Sequence, residues 1–148
     1  MTEKERKEQT ERFLHFKNAR AFKQVEKFTD IYSLRKELGA GQFGSVRLGK
    51  HRKSGVPCAI KIIKKSKVGE APVYEKLMKQ ELEVLEKTDH PHITRIFELC
   101  EDKKSFYIVM ELISSGNLLE KVISLKQMTE RLAADTINQI LLALNYMH

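Results

Sequence analysis

Three glycines spaced as G-x-G-x-x-G precede a lysine that lies within an apolar segment. The glycines are Gly39, Gly41 and Gly44, and the lysine is Lys61, in the segment 58–63. Because glycine has no side chain, a glycine-rich turn can bring its backbone N–H groups close to phosphate oxygens. The lysine raises a different question, since a buried ammonium group is costly unless an anion pairs with it. The glycines indicate a phosphate-binding turn, and Lys61 requires a partner elsewhere in the chain.

The residues after Gly44 distinguish between the nucleotide-binding turns that contain such glycines. In a dinucleotide-binding fold the glycines lie between a strand and a helix. Here Val46 and Leu48 alternate with more polar residues, which is typical of a strand. A P-loop would end in Gly-Lys-Ser or Gly-Lys-Thr, and this stretch does not. The glycines therefore belong to a hairpin of two strands.

Strand geometry places Lys61 among apolar residues. Side chains alternate along a strand, so Lys61 shares one face with Ala59 and Ile63, and the intervening residues face the other way. One alternative is an edge strand on which the Lys61 stem is buried and the ammonium group reaches water. The strand by itself does not decide between these two interpretations.

A predicted helix over residues 71–87 supplies a candidate partner for Lys61. Successive residues advance by about 100° around a helix, which puts Glu81 in the middle of the apolar face. That face contains Tyr74, Leu77, Met78, Val84 and Leu85. A carboxylate in this position needs a cation, so we predict an ion pair between Lys61 and Glu81. The alternative is that Glu81 lies at the boundary of the apolar face.

Five strands and three helices are predicted to position these residues. From Asp30 the sequence consists of short apolar segments separated by turn residues. The predicted strands are 32–38, 46–48, 58–63, 93–100 and 105–111, with a polar turn at 101–104, and the predicted helices are 71–87, 118–125 and one that begins after the N-cap residue Thr129. Short connections make the first three strands antiparallel, and the chain is assigned to the α+β class.

Residues 1–29 differ from the rest because they are highly charged and contain neither glycine nor proline. We predict a helix-prone extension outside the main core, followed by a domain over residues 30–148. Within the extension, Phe22, Val25 and Phe28 recur at roughly helical spacing and could dock it onto the domain. A frayed terminal segment is the alternative.

The composition argues against several classes of protein. With 148 residues, 41% hydrophobic and 32% charged, the chain has the balance of one soluble globular domain. It lacks an apolar run of the roughly 20 residues that a transmembrane helix needs. No leader sequence is recognisable, so we expect no membrane partner and a cytoplasmic or nuclear location. The net charge of +7 comes from basic residues scattered among acids, which argues against nucleic-acid binding.

Neither the cysteines nor the histidines indicate a metal site. Cys58 and Cys100 are too few for a disulfide framework or a cysteine-rich site, and both are expected to be buried and reduced. His90 and His92 flank a proline in a loop without further clustered ligands. We therefore predict no metal ligands within the chain.

Four segments, in this order and at these separations, resemble the first part of a protein kinase domain beginning at about residue 31. Residues 38–46 are similar to the glycine-rich loop, and residues 58–61 are similar to the V-A-I-K strand. Glu81 lies ten residues before the proline of the loop Asp-His-Pro-His-Ile, as does the glutamate of the family's αC helix. Residues 108–113 are similar to the last small-lobe strand and the hinge. The resemblance implies a small lobe over residues 30–113, with a five-stranded antiparallel sheet and the αC helix, and the first helices of the large lobe over 114–148.

The resemblance also implies an ATP site centred on the predicted ion pair. Lys61 would hold the α- and β-phosphates, Glu81 would fix Lys61 in place, and residues 39–44 would cover the phosphates. The apolar roof over adenine would consist of Leu38, Val46 and Ala59. The implied positions of the glycine-rich loop are Gly39, Ala40, Gly41, Gln42, Phe43, Gly44 and Ser45. The remaining implied nucleotide-binding positions are Met110, Glu111, Ile113 and Asn117.

Positions 110, 111, 113 and 117 lie at and after the predicted hinge. Met110 takes the gatekeeper position, and the backbone groups of Glu111 and Ile113 would hydrogen-bond the adenine edge. Asn117 stands where many members of the family have an acid that contacts the ribose, so it departs from the family pattern.

The implied activity is phosphoryl transfer from ATP, with Mg²⁺, to serine or threonine of protein substrates. Residues 27–32, 59–66 and 89–91 look most like the calcium-dependent and calmodulin-regulated serine/threonine kinases. No EF-hand pattern is present, so a calcium-sensing regulatory segment would lie outside the chain.

The H-R-D and D-F-G motifs do not occur in the 148 residues, so the catalytic base and the Mg²⁺ ligands are expected elsewhere. Residues 137–147 are apolar around most of a helix, which is typical of a segment buried on every side. We therefore expect a truncated domain that is inactive alone and associates through this helix. Two alternatives remain: a noncatalytic, pseudokinase-like or truncated regulator that binds ATP or a partner, and a basic nucleic-acid-binding module.

Overall fold

One six-stranded sheet organises the described residues between 23 and 110. The computed structural model describes residues 22–41, 44–67 and 72–148 and, within these ranges, every side chain except those of residues 67, 72–74, 77, 80, 81 and 84. The strands are β1 (Lys23–Gln24), β2 (Tyr32–Gly41), β3 (Gly44–His51), β4 (Pro57–Lys64), β5 (Ile96–Glu101) and β6 (Ser105–Met110), and the helices are α1 (Pro72–Glu86), α2 (Leu118–Leu125) and α3 (Glu130–Met147). The strands lie in the order β1-β5-β6-β4-β3-β2.

The predicted antiparallel meander of the first three strands is confirmed. Strands β2, β3 and β4 pair antiparallel in sequence order, and β6 pairs antiparallel with both β4 and β5. The turn between β3 and β4 contains Gly55 with φ +72°, a left-handed conformation that favours glycine. Its N–H donates to the carbonyl of His51 at 2.8 Å. Strand β5 begins at Ile96, three residues later than predicted.

The two faces of the sheet bury different sets of side chains. The first, called the aromatic face below, is a cluster of Phe28, Tyr32, Cys58, Ile60, Cys100 and Val109. The second, called the helix face, is a cluster of Phe22, Ile63, Leu99, Phe106 and Ile108, against which Met78 and Leu82 of α1 pack. The side chains of Cys58 and Ile60 thus lie on one face of the sheet and that of Ile63 lies on the other, which confirms the alternation predicted for the lysine-containing strand.

Residues 22–27 do not form the predicted helix, and only the short 3₁₀ helix Phe28–Asp30 is helical in this part of the chain. Strand β1 pairs in parallel with β5, with Lys23 opposite Cys100 and Gln24 opposite Glu101, so the sheet has six strands rather than five. The spacing of Phe22 and Phe28 was misleading because the two rings pack on opposite faces of the sheet. The predicted docking itself is confirmed, since Phe22 is 8% exposed and Phe28 is 1% exposed. Residues 1–21 lie outside the described part of the chain.

Two further predictions need correction. Leu85 was assigned to the packed face of the predicted helix, but it is 41% exposed, whereas Leu82 packs against the sheet. A run of alternating apolar and charged residues fixes the orientation of an amphipathic helix only loosely, because neighbouring positions differ by about 100°. Glu101 was assigned to a polar turn, but it is the last residue of β5 and is buried.

The two helices after the sheet begin where they were predicted. The Thr129 side chain accepts a hydrogen bond from the N–H of Leu132 at 3.3 Å and so caps α3. The large hydrophobic side chains of α3 that are at least 41% exposed are Ile137, Ile140, Leu141, Leu142, Leu144, Tyr146 and Met147. Association through α3 therefore remains a prediction with a defined surface. None of the described helices combines the length and the apolar character needed to traverse a bilayer.

Candidate functional site

Lys61 lies on an interior strand of the sheet. Strand β4 runs between β3 and β6, and Lys61 is opposite Val46 on one side and Ile108 on the other. The edge-strand alternative is therefore wrong. Its half-buried side chain leaves β4 on the helix face, because it alternates with Ile60 of the aromatic face. Glu81 belongs to α1, but its side chain lies outside the described ones, so the ion pair with Lys61 stays a prediction.

The three glycines of the β2–β3 hairpin differ in what they touch. A Cβ atom at Gly44 would lie 1.8 Å from the carbonyl oxygen of Ile62, so the packing of β3 on β4 requires glycine there. A Cβ atom at Gly39 or Gly41 would meet no described atom within 4 Å. Neither residue has the positive φ that favours glycine. Since neither packing nor conformation demands these two glycines, they leave open space beside the backbone that a ligand can occupy.

The predicted apolar roof lies on adjoining strands. Gly39 of β2 is opposite Val46 of β3, and Val46 is opposite Lys61 of β4. Two residues earlier on β4, Ala59 is opposite Met110 of β6, the predicted gatekeeper. Directly opposite residues share a face of an antiparallel sheet, so these positions form one surface. Ala59 is 7% exposed, and Leu38 is 45% exposed. Gln42 and Phe43 lie outside the described residues.

The predicted hinge begins with a buried, anchored residue. The N–H of Glu111 donates to the carbonyl of Arg95 at 2.9 Å, and the N–H of Arg95 donates to Glu111 Oε2 at 3.3 Å. This reciprocal contact ties the end of β6 to the residue before β5. Two residues later the side chain of Ile113 is 54% exposed. The chain thus leaves the sheet from a fixed point next to Met110.

Comparisons with known proteins agree with this geometry. The family model described as "Protein kinase domain" matches residues 32–148. The chain belongs to the protein kinase family. It is 38% identical over 125 residues to a protein named Myosin light chain kinase A from Dictyostelium discoideum, covering 84% of this chain and 41% of the relative. It is 37% identical over 123 residues to Probable serine/threonine-protein kinase fhkD of the same organism, covering 83% of this chain and 16% of the relative.

A third relative carries calcium in its name. The kinase chain is 37% identical over 121 residues to Calcium-dependent protein kinase 4 from Plasmodium berghei (strain Anka), covering 82% of this chain and 23% of the relative. The chain therefore spans less than half the length of each of these relatives. The mixed α+β architecture, with a sheet and α1 followed by two helices, fits the small lobe and the start of the large lobe of a kinase domain.

Asn117 has a structural task in the kinase domain. Its Oδ1 accepts a hydrogen bond from the N–H of Glu120 at 2.8 Å, and its Nδ2 donates to Glu120 Oε1 at 2.9 Å. The N–H of Asn117 donates back to Glu120 Oε2 at 3.4 Å, which completes a capping box at the start of α2. The Asn117 side chain is thus engaged in the cap, and a contact with ribose stays a prediction.

The loop before β5 connects the small lobe to α3. The Asp89 carboxylate lies 2.6 Å from the Arg95 guanidinium, and the N–H of Asp89 donates to the hydroxyl of Tyr146 at 3.2 Å. The N–H of His92 donates to His90 Nδ1 at 3.2 Å, and the His90 ring lies 5.0 Å from that of Tyr146. The two histidines thus take part in the structure of the loop. A cavity of about 500 Å³ lies between this loop, the hinge and α3, away from Lys61 and the glycines.

Two buried carboxylates of β5 were missed by sequence reasoning. Glu98 Oε2 accepts a hydrogen bond from the Tyr32 hydroxyl at 2.7 Å, and Glu98 Oε1 lies 3.2 Å from Lys23 Nζ. Burial and the neighbouring Glu98 raise the pKa of Tyr32 far above its ordinary value. Glu101 is 4% exposed, and its carboxylate pairs with Lys65, which follows β4, and with Lys79 of α1. The two acids interrupt an otherwise apolar stretch, 96–101, and this was the available signal, because on a strand each acid shares a face with apolar residues.

The two cysteines are buried, as the sequence predicted. Burial raises the pKa of the Cys58 thiol to about 12 and raises that of the Cys100 thiol as well. Thiols in this state are poor nucleophiles, because the thiolate is the reactive form. Both belong to the aromatic face and take no part in the candidate site.

Proposed function

We propose that the chain is the ATP-binding portion of a protein serine/threonine kinase. The observation that carries the proposal is the open space beside Gly39 and Gly41, next to a strand pair that presents Lys61 on the same surface. Backbone N–H groups that no side chain shields, together with an ammonium group, are the donors that nucleotide phosphates need. Two residues before Lys61 on β4, the roof position Ala59 lies opposite the gatekeeper position Met110.

Each residue of this surface would have a distinct task. Lys61 binds and orients the α- and β-phosphates, and Glu81 holds the ammonium group in place. The glycine backbone covers the phosphates, and Ala59 leaves room for the adenine ring because its side chain is one methyl group. ATP supplies the phosphoryl group, and the chain's own residues supply binding and orientation, which are major parts of catalysis in this class of reaction.

We place the Mg²⁺ ligands and the catalytic base in protein outside this chain. Within residues 22–41, 44–67 and 72–148, no three His, Cys, Asp or Glu side chains are grouped closely enough to hold a metal ion. Bound Mg²⁺ would neutralise charge on the β- and γ-phosphates. Transfer to a protein substrate would need those outside residues, so the chain alone is proposed to bind nucleotide without transferring phosphate.

The proposed substrate class and the proposed calcium regulation rest on the names of two relatives. A serine/threonine substrate is supported by the name of the fhkD relative, and regulation by a calcium-sensing segment outside the chain is supported by the name of the Plasmodium relative. We propose both for the protein of which this chain is part, with a cytoplasmic or nuclear location.

A nucleotide titration of matched lysine variants tests the proposed site. We expect millimolar ATP to raise the unfolding midpoint of the chain and to slow amide exchange in β2 and β3, because a ligand that binds only the folded state stabilises it. Lys61→Met should abolish both effects. Lys64→Met, which removes an exposed charge three residues later on the same strand, should retain them. Equal ATP effects in the Lys61→Met variant and the parent chain would contradict the assignment.

A further inference from the structure

The segment Phe22–Gln24 lies at the β5 edge of the sheet, where Phe22 shares an apolar cluster with residues of α1. Phe22 is 8% exposed, and its ring meets that of Phe106 edge-on with 5.4 Å between centroids. The same cluster contains Met78 and Leu82, the described residues of α1 that pack on the sheet. Next to Phe22, strand β1 closes the β5 edge with only two residues. Phe22, next to the short strand β1, is therefore part of the surface on which α1 packs.

A single carboxylate joins this segment to α1. Glu101 is the β5 residue opposite Gln24, and Gln24 Nε2 donates to Glu101 Oε1. Lys79 Nζ of α1 lies 3.1 Å from Glu101 Oε2 and 3.2 Å from Oε1, and Lys65 Nζ lies 3.3 Å from Oε2. A buried carboxylate is costly unless it is paired, so Glu101 needs such contacts. Residues from β1, from α1 and from the turn just after β4 thus meet at one side chain of β5.

Lys79 contacts Phe22 of the segment as well as Glu101 of β5. Its ammonium group lies 5.5 Å from the centroid of the Phe22 ring and 5.2 Å from that of Phe106, within the range of a cation–π interaction. Burial alone lowers the pKa of Lys79, but hydrogen bonds to Glu75 and Glu101 outweigh burial and hold the pKa above its usual value. Lys79 is thus charged at neutral pH. The aromatic contact and the ion pair therefore act on the same residue of α1.

We infer that Phe22, Gln24 and Glu101 form a positioning element that holds α1 on the sheet through Lys79. Lys79 lies two residues before Glu81, so the placement of α1 determines where the Glu81 carboxylate can be relative to Lys61. The inference rests on the proposed function, since the placement of α1 bears on nucleotide binding only if Glu81 serves Lys61. When the segment is docked, α1 is held near β5; when it is released, α1 loses Phe22 and one partner of the carboxylate that binds Lys79.

Amide hydrogen exchange of the nucleotide-free chain tests the positioning element directly. We expect Phe22→Ala and Lys79→Met to speed exchange of the amides of α1 by at least about tenfold, with little change in β4 and β6. Lys79→Arg should restore slow exchange because the charge is kept. The matched controls are Lys23→Met, which removes the neighbouring contact to Glu98, and Lys76→Met, which removes an exposed charge of α1. Both should leave exchange in α1 near that of the parent chain.

Two results would overturn the inference. One is unchanged exchange in α1 when Phe22 is replaced, and the other is an equal increase throughout the sheet, which would indicate general destabilisation. Phe22→Leu provides a milder variant if Phe22→Ala fails to fold, and it should give a smaller increase confined to α1. ATP affinity is measured separately: it should weaken in Phe22→Ala and persist in Lys23→Met. If the parent chain binds no ATP, the proposed function fails, whereas the exchange data still decide whether the segment holds α1.

Discussion

The two faces of the kinase sheet use the same strands for different purposes. On the aromatic face Phe28 stacks on Tyr107 with 3.9 Å between centroids and on Tyr32 with 4.9 Å, and the rings close the surface. On the helix face the same strands carry Lys61 and the open glycine backbone, and α1 contacts the sheet mainly at β5. Because side chains alternate, one strand can contribute to a packed core and to a binding surface at adjacent residues. Stability and the proposed nucleotide binding should thus be separable by single substitutions.

The largest expected effect belongs to the aromatic face. Phe28→Ala should lower the free energy of unfolding by about 3 to 5 kcal/mol, because it removes a fully buried ring that stacks on two others. Leu85→Ala, at a side chain of α1 that is 41% exposed, should cost less than about 1 kcal/mol. Urea unfolding followed by circular dichroism measures both. Similar losses in the two variants would mean that the aromatic face is not the core of the sheet.

A smaller effect is expected from two glycines that the sequence presents as equivalent. Gly44→Ala should cost about 1 to 3 kcal/mol, because the new methyl group would clash with the backbone of β4 at Ile62. Gly39→Ala should leave the free energy of unfolding within about 1 kcal/mol of the parent value, because the methyl group enters open space. The same Gly39→Ala variant should bind ATP more weakly. Loss of stability in Gly39→Ala with unchanged ATP binding would reverse the assignment of the two glycines.

The pH dependence of stability should originate at His51, which lies beside Tyr32 of the aromatic face. This residue is 2% exposed and lies beside the Tyr32 ring, and burial lowers its pKa, with Glu98 opposing the shift and Lys23 and Lys53 adding to it. The unfolded chain therefore binds a proton more readily, so stability is complete above about pH 6.5 and falls below it. The slope for one proton is at most about 1.4 kcal/mol per pH unit.

Urea midpoints between pH 7.5 and 5.5 measure this slope. His51→Gln should flatten it, and His92→Gln, at an exposed histidine of the loop before β5, should leave it unchanged. A slope that is the same in His51→Gln and the parent chain would assign the pH dependence to other groups.

The smallest effect on stability is expected where the effect on binding is largest. Replacing both members of the proposed ion pair, Lys61→Met together with Glu81→Gln, should change the free energy of unfolding by less than about 1 kcal/mol, because no unpaired carboxylate is left and the half-buried lysine gives way to an apolar side chain of similar length. The urea titration used for Phe28→Ala measures it. A loss comparable to that of Phe28→Ala would show that Lys61 is a structural residue and not a binding residue.

The sequence predicts the parts of this fold that depend on local pattern. Alternation located β2, β3 and β4, and the N-cap residue Thr129 located α3, because these signals are carried by neighbouring residues. Alternation also predicted which residues share a face with Lys61. It left open whether β4 lies at an edge, since that depends on β6, about 45 residues away. The same pattern could not identify the partners of the buried Glu101, because the amide of Gln24 and the ammonium groups of Lys65 and Lys79 come from distant parts of the sequence.

Strand β1 was unpredictable for a related reason. Lys23 and Gln24 have no preference for extended structure, and they become a strand because β5 offers an open edge with unpaired backbone groups. The Lys61–Glu81 pair was predicted from helical geometry, which oriented Leu85 incorrectly, so this prediction depends most on the binding experiments.

The pairing of β1 with β5 also has a consequence for protein synthesis. Gln24 and its partner Glu101 are 77 residues apart, and every residue between them must be synthesised before the two can meet. At translation rates of roughly 5–20 residues per second, β1 waits about 4 to 15 s for its partner strand. During this time Phe22 and Phe28 cannot reach their positions on the two faces. The first described strand of the sheet is therefore among the last to be incorporated as the chain leaves the ribosome.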